Sequence, residues 1–228
     1  MNRLVVSALF APLALSTSIA FATPKAASSF DIEVKGTITP SACSLNVDRA
    51  GVMDFGAIDV STLNRNSPTT LANTGQGVSV IVACNADTLV AMTALDQNAD
   101  SVAPGLFSPE EQANYVIGLG KTGEGKPIGA AMLLAQDVNQ ARGHVSMAPG
   151  SVYSSNNGGS WVAGSEAIPT HLGLLKAPSD PNQIDPQAIT GWTFNMRPQV
   201  KIDAAANIGP ITTDLPFQGK ATLQLYYL

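Results

Sequence analysis

Residues 118–126 contain two overlapping motifs whose spacing could hold a phosphate group. The first six residues fit G-x-G-x-x-G, and residues 120–126 nearly spell a P-loop. Both motifs bind phosphate through backbone N–H groups at the start of a helix that follows the glycines. Here Pro127 replaces the Ser or Thr that binds magnesium, and residues 128–136 have the pattern of a strand. The run therefore predicts the tip of a β-hairpin, not a nucleotide site.

The residue types needed for hydrolytic or metal chemistry are scattered. Neither His144 nor His171 lies in a G-x-S-x-G or H-E-x-x-H motif. The carboxylates within residues 96–111 could meet in space, although a solvated charged face is the simpler interpretation. Residues 180–185 lack the D-x-D-x-D-G spacing of a calcium loop. We therefore predict no catalytic residue, no metal site and no cofactor, and a protein that is not an enzyme.

Cys43 and Cys84 are the only cysteines of the chain. In an exported protein an even number of cysteines most simply forms disulfides, here one bond that closes a loop of about 40 residues. The alternative is a pair of metal ligands. It is weakly supported, because C-x-x-C spacing is absent and no histidine is near either cysteine in sequence.

The two tryptophans could be platforms on which a sugar ring stacks. Trp192 alternates with Phe194 along a strand pattern, which favours a place in the core. Trp161 follows the loop of residues 154–160, so it is the better candidate for the surface. It either anchors that loop or contacts a ligand, and both interpretations stay open.

The N-terminal residues have the pattern of an export signal. Arg3 supplies the positive charge, residues 4–15 the apolar stretch, and residues 20–22 a small-x-small cleavage site. We expect residues 1–22 to be removed. The alternative, an uncleaved membrane anchor, needs roughly 20 apolar residues. The mature chain should be exported and soluble. Because the full chain has a net charge of −5 and no basic cluster, we do not expect it to bind nucleic acid.

Hydrophobic alternation with a period of two predicts an all-β protein. One helical turn is expected, with Ser108 as N-cap and Pro109 at the first helical position. Strands are predicted at residues 30–38, 52–58, 78–84 and 89–95, in a hairpin of residues 115–120 and 128–136, as short strands near Val145, Trp161 and Leu172, in a long strand of residues 192–202 broken by Pro198, and at residues 219–228. Short strands joined by turns favour a single β-sandwich.

The strand at residues 219–228 is the last predicted element. Ala221, Leu223, Leu225 and Tyr227 alternate with polar or amphipathic residues, which predicts one buried face. No later strand is available to pair with its free edge. Proteins usually blunt or cover such an edge, so we expect another chain to cover this one.

Five segments together resemble a chaperone–usher pilus (fimbrial) subunit, and a minor or fimbrial-like subgroup of unassigned function fits best. The resemblance is carried by Val34–Cys43 with its glycine and cysteine, Met53–Gly56, Val78–Cys84 with the second cysteine, Phe194–Ile202, and Gly219–Leu228 with an aromatic residue in the penultimate place. No single segment is specific, but their order and spacing are.

The resemblance implies an incomplete immunoglobulin-like β-sandwich that lacks its last strand, preceded by an N-terminal donor-strand extension. The extension would be residues 23–32 and the sandwich residues 33–228. The resemblance also implies a hydrophobic groove between the sheets, with one wall formed by Ala221, Leu223, Leu225 and Tyr227. The inserting face of the extension would be Ala26, Ser28, Phe30 and Ile32. A chaperone strand would first fill the groove, and the extension of the next subunit would then replace it. Both steps would be β-augmentation, in which a strand is added to a sheet edge.

The predicted function is that of a structural subunit of a surface fimbria, assembled by donor-strand exchange. Its partners would be a periplasmic pilus chaperone, an outer-membrane usher and neighbouring pilus subunits. It would pass through the periplasm and end at the cell surface. The first alternative is a fimbrial adhesin that binds a host or surface glycan through the long central loops and Trp161. The second, an exported hydrolase, is supported only by scattered acids and histidines.

Overall fold

The computed structural model describes residue 28 and residues 30–38, 41–72, 77–143, 145–147 and 149–228. The chain divides into two units, Met1–Thr39 and Pro40–Leu228, and each is described by itself. The second unit contains all of the described strands and helices. Its strands are β1 (Cys43–Val47), β2 (Thr69–Thr70), β3 (Val78–Thr88), β4 (Val90–Asp96), β5 (Val116–Gly118), β6 (Gly129–Arg142), β7 (Val145–Met147), β8 (Ser151–Ser154), β9 (Val162–Ala163), β10 (Leu175–Pro178), β11 (Ile189–Ile202) and β12 (Ala221–Tyr227).

Helix is rare in the same unit. The α-helices are α1 (Pro109–Asn114) and α2 (Ala205–Ile208), with 3-10 segments at Asp48–Gly51, Val60–Thr62 and Ala99–Ser101. The start of α1 confirms the prediction from sequence, because Ser108 and Glu111 form a reciprocal capping box and Pro109 occupies the first turn. No helix of the described residues is long and apolar enough to cross a bilayer.

The strands form two antiparallel sheets that pack as a sandwich, which confirms the predicted all-β class. The first sheet has the order β1-β3-β11-β6-β5, with β2 added to β11 and β7 added to β6. The second has the order β12-β4-β10-β8-β9. The predicted disulfide joins Cys43 to Cys84, which lie directly opposite each other in the β1–β3 pair.

Alternate residues of the central strands fill the space between the sheets. Their side chains are almost fully buried because every second residue of a strand points to the same face. The buried cluster includes Val78, Val80 and Val82 of β3, Val90, Met92 and Ala94 of β4, and Trp192, Phe194 and Met196 of β11.

β11 continues through Pro198, so the predicted break at this residue is wrong. Pro198 lies opposite Leu133 of β6, and the pairing of β11 with β3 ends at Met196. On the β3 side, the next described partner is Leu71, whose N–H donates to the carbonyl of Val200, and β2 then pairs with Lys201 and Ile202. A proline is tolerated where its missing N–H would have no partner, as on an edge strand.

Two further strand predictions are wrong. Residues 30–38 have no regular secondary structure, and Phe30, Ile32, Val34 and Ile38 are 87%, 86%, 92% and 99% exposed. Residues 52–58 also form no strand. Both segments have the apolar alternation of a strand, but a strand also needs a neighbour for its backbone groups, and the described residues offer none.

Candidate assembly groove

A groove of about 790 Å³ opens over the main hydrophobic core of the sandwich. Residues 53–63 form one side and residues 211–217 the other, and we call these two segments the lips. The floor is formed by the core residues Ile128, Ile202 and Ile208. The apolar side chains of the lips are only half-buried although they pack against the core; they are Met53, Phe55, Leu63, Ile211, Leu215 and Phe217.

The backbones of the facing stretches of both lips have few hydrogen-bond partners among the described residues. Residues 53–58 make no backbone–backbone hydrogen bond with another described residue, and the same holds for residues 210–217. One side-chain bond forms in the first stretch, from the Gly56 N–H to Asp54. Pro210 and Pro216 lack an N–H altogether. The lips thus present unused donors and acceptors on both sides of an apolar groove, the environment that an added strand requires.

β12 is an edge strand, as predicted. It pairs with β4 from Ala221 opposite Asp96 to Tyr227 opposite Val90, and no described strand lies on its other side. Ala221, Leu223 and Leu225 point toward the core and are half-buried. β1 forms the corresponding edge of the other sheet, because its one described partner is β3. Among the described residues, therefore, no strand lies between the β1 edge of one sheet and the β12 edge of the other.

The far end of this open edge is bridged by Tyr227. Its hydroxyl oxygen accepts a hydrogen bond of 2.9 Å from the backbone N–H of Cys43. The bond links the end of β12 in one sheet to the start of β1 in the other, next to the disulfide. One lip follows β1 along the chain and the other precedes β12, so the lips continue from the ends of these two strands that are opposite the Cys43–Tyr227 bond.

The predicted donor residues lie in the other unit of the chain. Ser28, Phe30 and Ile32 are exposed, whereas Ala26 lies outside the described residues. The exposed apolar pattern continues through Val34 to Ile38, beyond the predicted end of the extension at residue 32. Charged residues alternate with it, and one ion pair joins Lys35 to Glu33.

The lips were missed in the interpretation of the sequence. Residues 211–217 contain apolar residues at even intervals, Ile211, Leu215 and Phe217, bounded by Pro210 and Gly219. This pattern was a usable signal for an extended apolar segment. Whether residues 211–217 pair with another strand, however, depends on where the other strands of the sandwich end, and no local sequence pattern contains that information.

The phosphate-like motif is a hairpin tip, as expected. Asp96 accepts a hydrogen bond from the N–H of Gly118, and Ser101 accepts one from the N–H of Gly120. Lys121 is bound to Asp100 at 2.7 Å. The groups that would hold a phosphate are therefore occupied by side chains of the protein. Burial raises the pKa of Asp96, and its bonds to backbone N–H groups partly oppose this effect.

The remaining candidate residues do not converge on a second site. Trp161 is half-buried and packs against a small apolar cluster of Ala91, Val152, Leu175 and Ala177, so its role as a glycan contact stays a prediction. His171 is exposed, and His144 lies outside the described residues. The described part of the chain contains no group of three His, Cys, Asp or Glu side chains that could hold a metal ion.

Comparison with known proteins gives distant relatives. A family model described as "Protein of unknown function (DUF1120)" matches residues 32–132. The chain is 28% identical over 129 residues to the uncharacterized protein YhcF of Escherichia coli (strain K12), a match that covers 50% of this chain and 53% of YhcF. It is also 27% identical over 260 aligned positions to protein GltF of the same strain, covering 100% of this chain and 98% of GltF.

The chain thus spans about half the length of YhcF and nearly all of GltF. The matched family region contains one lip, both cysteines and the first five strands, but not β12. No solved structure matches the chain.

Proposed function

We propose that this protein is a structural subunit of a surface fimbria that assembles by donor-strand exchange. A strand from another chain fills the groove, and the subunit's own N-terminal extension fills the groove of a neighbour. The observation that carries the proposal is the apolar groove whose two sides, residues 53–58 and 211–217, make no backbone–backbone hydrogen bond with other described residues. A ligand pocket for a small molecule would not need unpaired backbone on both sides.

An inserted strand would pair with the backbone groups that lack partners among the described residues, and it would also cover the half-buried apolar side chains. Its backbone would pair with the lips and with the free side of β12, as in β-augmentation. Its inward side chains would cover the half-buried apolar residues of the lips. Fully burying one such side chain contributes about 1.5–3 kcal/mol, so several in a row stabilise a complex strongly. The open edge would also be removed, which lowers the risk of uncontrolled aggregation.

The N-terminal extension has the complementary pattern. Phe30, Ile32, Val34 and Ile38 would face into the groove of the neighbouring subunit, while the charged residues between them would face water. Such strongly exposed apolar residues are costly to leave in water, which favours an intermolecular partner. The donor face therefore includes Val34 and Ile38 in addition to the residues predicted from the sequence.

An unfilled groove needs temporary cover before assembly. A periplasmic pilus chaperone would supply a strand to it, and an outer-membrane usher would exchange that strand for the extension of the next subunit. These steps require export, for which the pattern of residues 1–22 is suited, and an oxidising compartment, for which the Cys43–Cys84 disulfide is suited. The proposal assigns no catalytic activity to the chain.

Self-association of the mature chain tests the proposal. Oxidised protein comprising residues 23–228 should form concentration-dependent, head-to-tail polymers visible by size-exclusion chromatography and electron microscopy. The variant Ile32→Asp/Val34→Asp should stay monomeric, because two carboxylates would enter an apolar groove. The matched control Asp31→Asn/Glu33→Gln changes only the water-facing side and should polymerise normally.

A second arm tests the groove directly. The monomeric Ile32→Asp/Val34→Asp variant should bind a synthetic peptide with the sequence of residues 28–40 and gain thermal stability by mass action. A peptide carrying the same two aspartates should not bind. Polymerisation that is indifferent to Ile32 and Val34, together with the absence of peptide binding, would show that the groove does not accept this strand.

A further inference from the structure

Tyr227 joins the two sheets across their open edge. It follows Ala221, Leu223 and Leu225 at intervals of two, so its side chain leaves β12 on the inward face. The side chain is nevertheless 56% exposed, because no strand lies beside it among the described residues. Its hydroxyl oxygen receives the N–H of Cys43, a residue that the disulfide fixes to β3.

This arrangement makes the two ends of the open edge different. At the lips, residues 53–58 and 210–217 make no backbone–backbone hydrogen bond with other described residues, and a groove of about 790 Å³ lies there. At the other end the phenol ring of Tyr227 spans the gap and occupies a backbone donor of β1. A strand lying along the whole of β12 would need the space that this ring fills.

We infer that Tyr227 is a latch residue that limits how far an incoming strand can insert, an inference that rests on the proposed function. The strand can occupy the lips while the Tyr227–Cys43 hydrogen bond is intact. It pairs with the full length of β12 only after the hydroxyl leaves Cys43 and the ring turns out of the gap. Tyr227 acts here by positioning, since it controls access to the edge of β12.

The latch is weak enough to open and strong enough to affect kinetics. A neutral hydrogen bond contributes about 1 kcal/mol net, which corresponds to roughly a fivefold change in a rate or equilibrium constant. The variant Tyr227→Phe keeps the ring and removes only the hydroxyl. It should therefore increase the rate of strand insertion about fivefold while leaving the apolar contacts in place.

The neighbouring tyrosine provides a matched control. The hydroxyl of Tyr226 donates to the side chain of Gln224 at 2.6 Å and is on the opposite face of β12. The variant Tyr226→Phe removes an equivalent hydroxyl from the same strand without touching the gap between the sheets. It should leave the insertion rate unchanged.

The test uses the oxidised Ile32→Asp/Val34→Asp monomer as the acceptor and a fluorescent peptide of residues 28–40 as the probe. Stopped-flow association should be about fivefold faster with Tyr227→Phe than with Tyr227 or with Tyr226→Phe. Without peptide, hydrogen exchange of the Cys43 amide should accelerate only in Tyr227→Phe. Urea unfolding of the three acceptors checks that they remain folded.

The outcomes separate this inference from the proposed function. Equal association rates for all three acceptors would overturn the latch, but they would not contradict the proposed insertion of a strand into the groove. Faster association of Tyr227→Phe with unchanged Cys43 exchange also overturns it, because the rate would then have another cause. If none of the acceptors binds the peptide, the proposed function fails and the latch fails with it.

Discussion

The ammonium group of Lys176 lies inside the sandwich, 3.1 Å from the hydroxyl oxygen of Ser151. Lys176 is only 2% exposed, and it lies directly opposite Met92 in the β10–β4 pair, so its side chain shares the inward face with that core residue. It also donates to the backbone carbonyl of Ser165. The lysine therefore ties the chain at Ser165 to β8 and β10, at the cost of a buried charge.

Stability should rise with pH because of Lys176. Burial lowers its pKa from 10.5 to about 8 in the folded protein, partly opposed by Glu166. Between these values the unfolded chain binds more protons than the folded chain, so the free energy of unfolding increases with pH. From pH 7 to pH 9.5 the expected gain is about 2 kcal/mol. Urea titrations across this range measure it.

The variant Lys176→Met is the control for this pH dependence. Methionine has a similar length and no charge, so the rise in stability between pH 7 and pH 9.5 should disappear. Measurements should stop near pH 9.5, because burial raises the pKa of Tyr115 in the folded protein. As pH approaches 10, the unfolded chain loses the phenol proton while the folded chain keeps it, so the free energy of unfolding begins to fall. A slope that survives in Lys176→Met would assign the effect to another group.

Reduction of the Cys43–Cys84 bond should destabilise the fold. Removing a native disulfide from an exported domain typically costs about 2–5 kcal/mol. Here the bond also holds β1 in place beside the edge of β12. Urea unfolding with and without reductant measures the loss, and the Cys43→Ser/Cys84→Ser variant should be insensitive to reductant. Equal midpoints for the oxidised and reduced protein would contradict this role.

A charge in a lip should impair strand binding more than folding. Leu215 is half-buried at the groove, in a stretch that makes no backbone–backbone hydrogen bond with other described residues. Leu215→Asp should lower affinity for the peptide of residues 28–40 at least tenfold and the free energy of unfolding by only about 1 kcal/mol. Leu215→Met preserves volume and apolar character and should bind normally. Equal affinities for the two variants would exclude Leu215 from the binding surface.

The hairpin requires glycine at one position and tolerates substitution at another. A Cβ atom on Gly118 would clash with the backbone oxygen of Asn98 and the side chain of Ser101, whereas one on Gly123 would meet open space. Gly118→Ala should therefore destabilise by about 1–3 kcal/mol, the usual cost of overpacking. Gly123→Ala should be nearly neutral. Thermal unfolding of both variants checks this, and similar midpoints would contradict the close approach.

The interpretation of the sequence succeeded where burial and alternation coincide. The strand at residues 78–84 was predicted from its period of two, and Val78, Val80 and Val82 of β3 are indeed buried. The strand predicted at residues 89–95 is β4, whose first five residues are all buried. It failed at residues 52–58, where the period is present but the described chain supplies no neighbouring strand. It failed differently at Pro198, where a locally disfavoured residue is tolerated because the pairing of β11 with β3 ends two residues earlier, at Met196.

Local chemistry in the sequence determined the all-β class, the disulfide partners, the capped turn at Ser108 and the edge strand at residues 221–227. Each of these depends on neighbouring residues or on a count of two cysteines. Only the tertiary structure decided that residues 53–58 and 211–217 face each other with unpaired backbones, and that Tyr227 meets Cys43. These contacts join residues that are distant along the chain, and they depend on where the strands of two sheets stop, which no local pattern encodes.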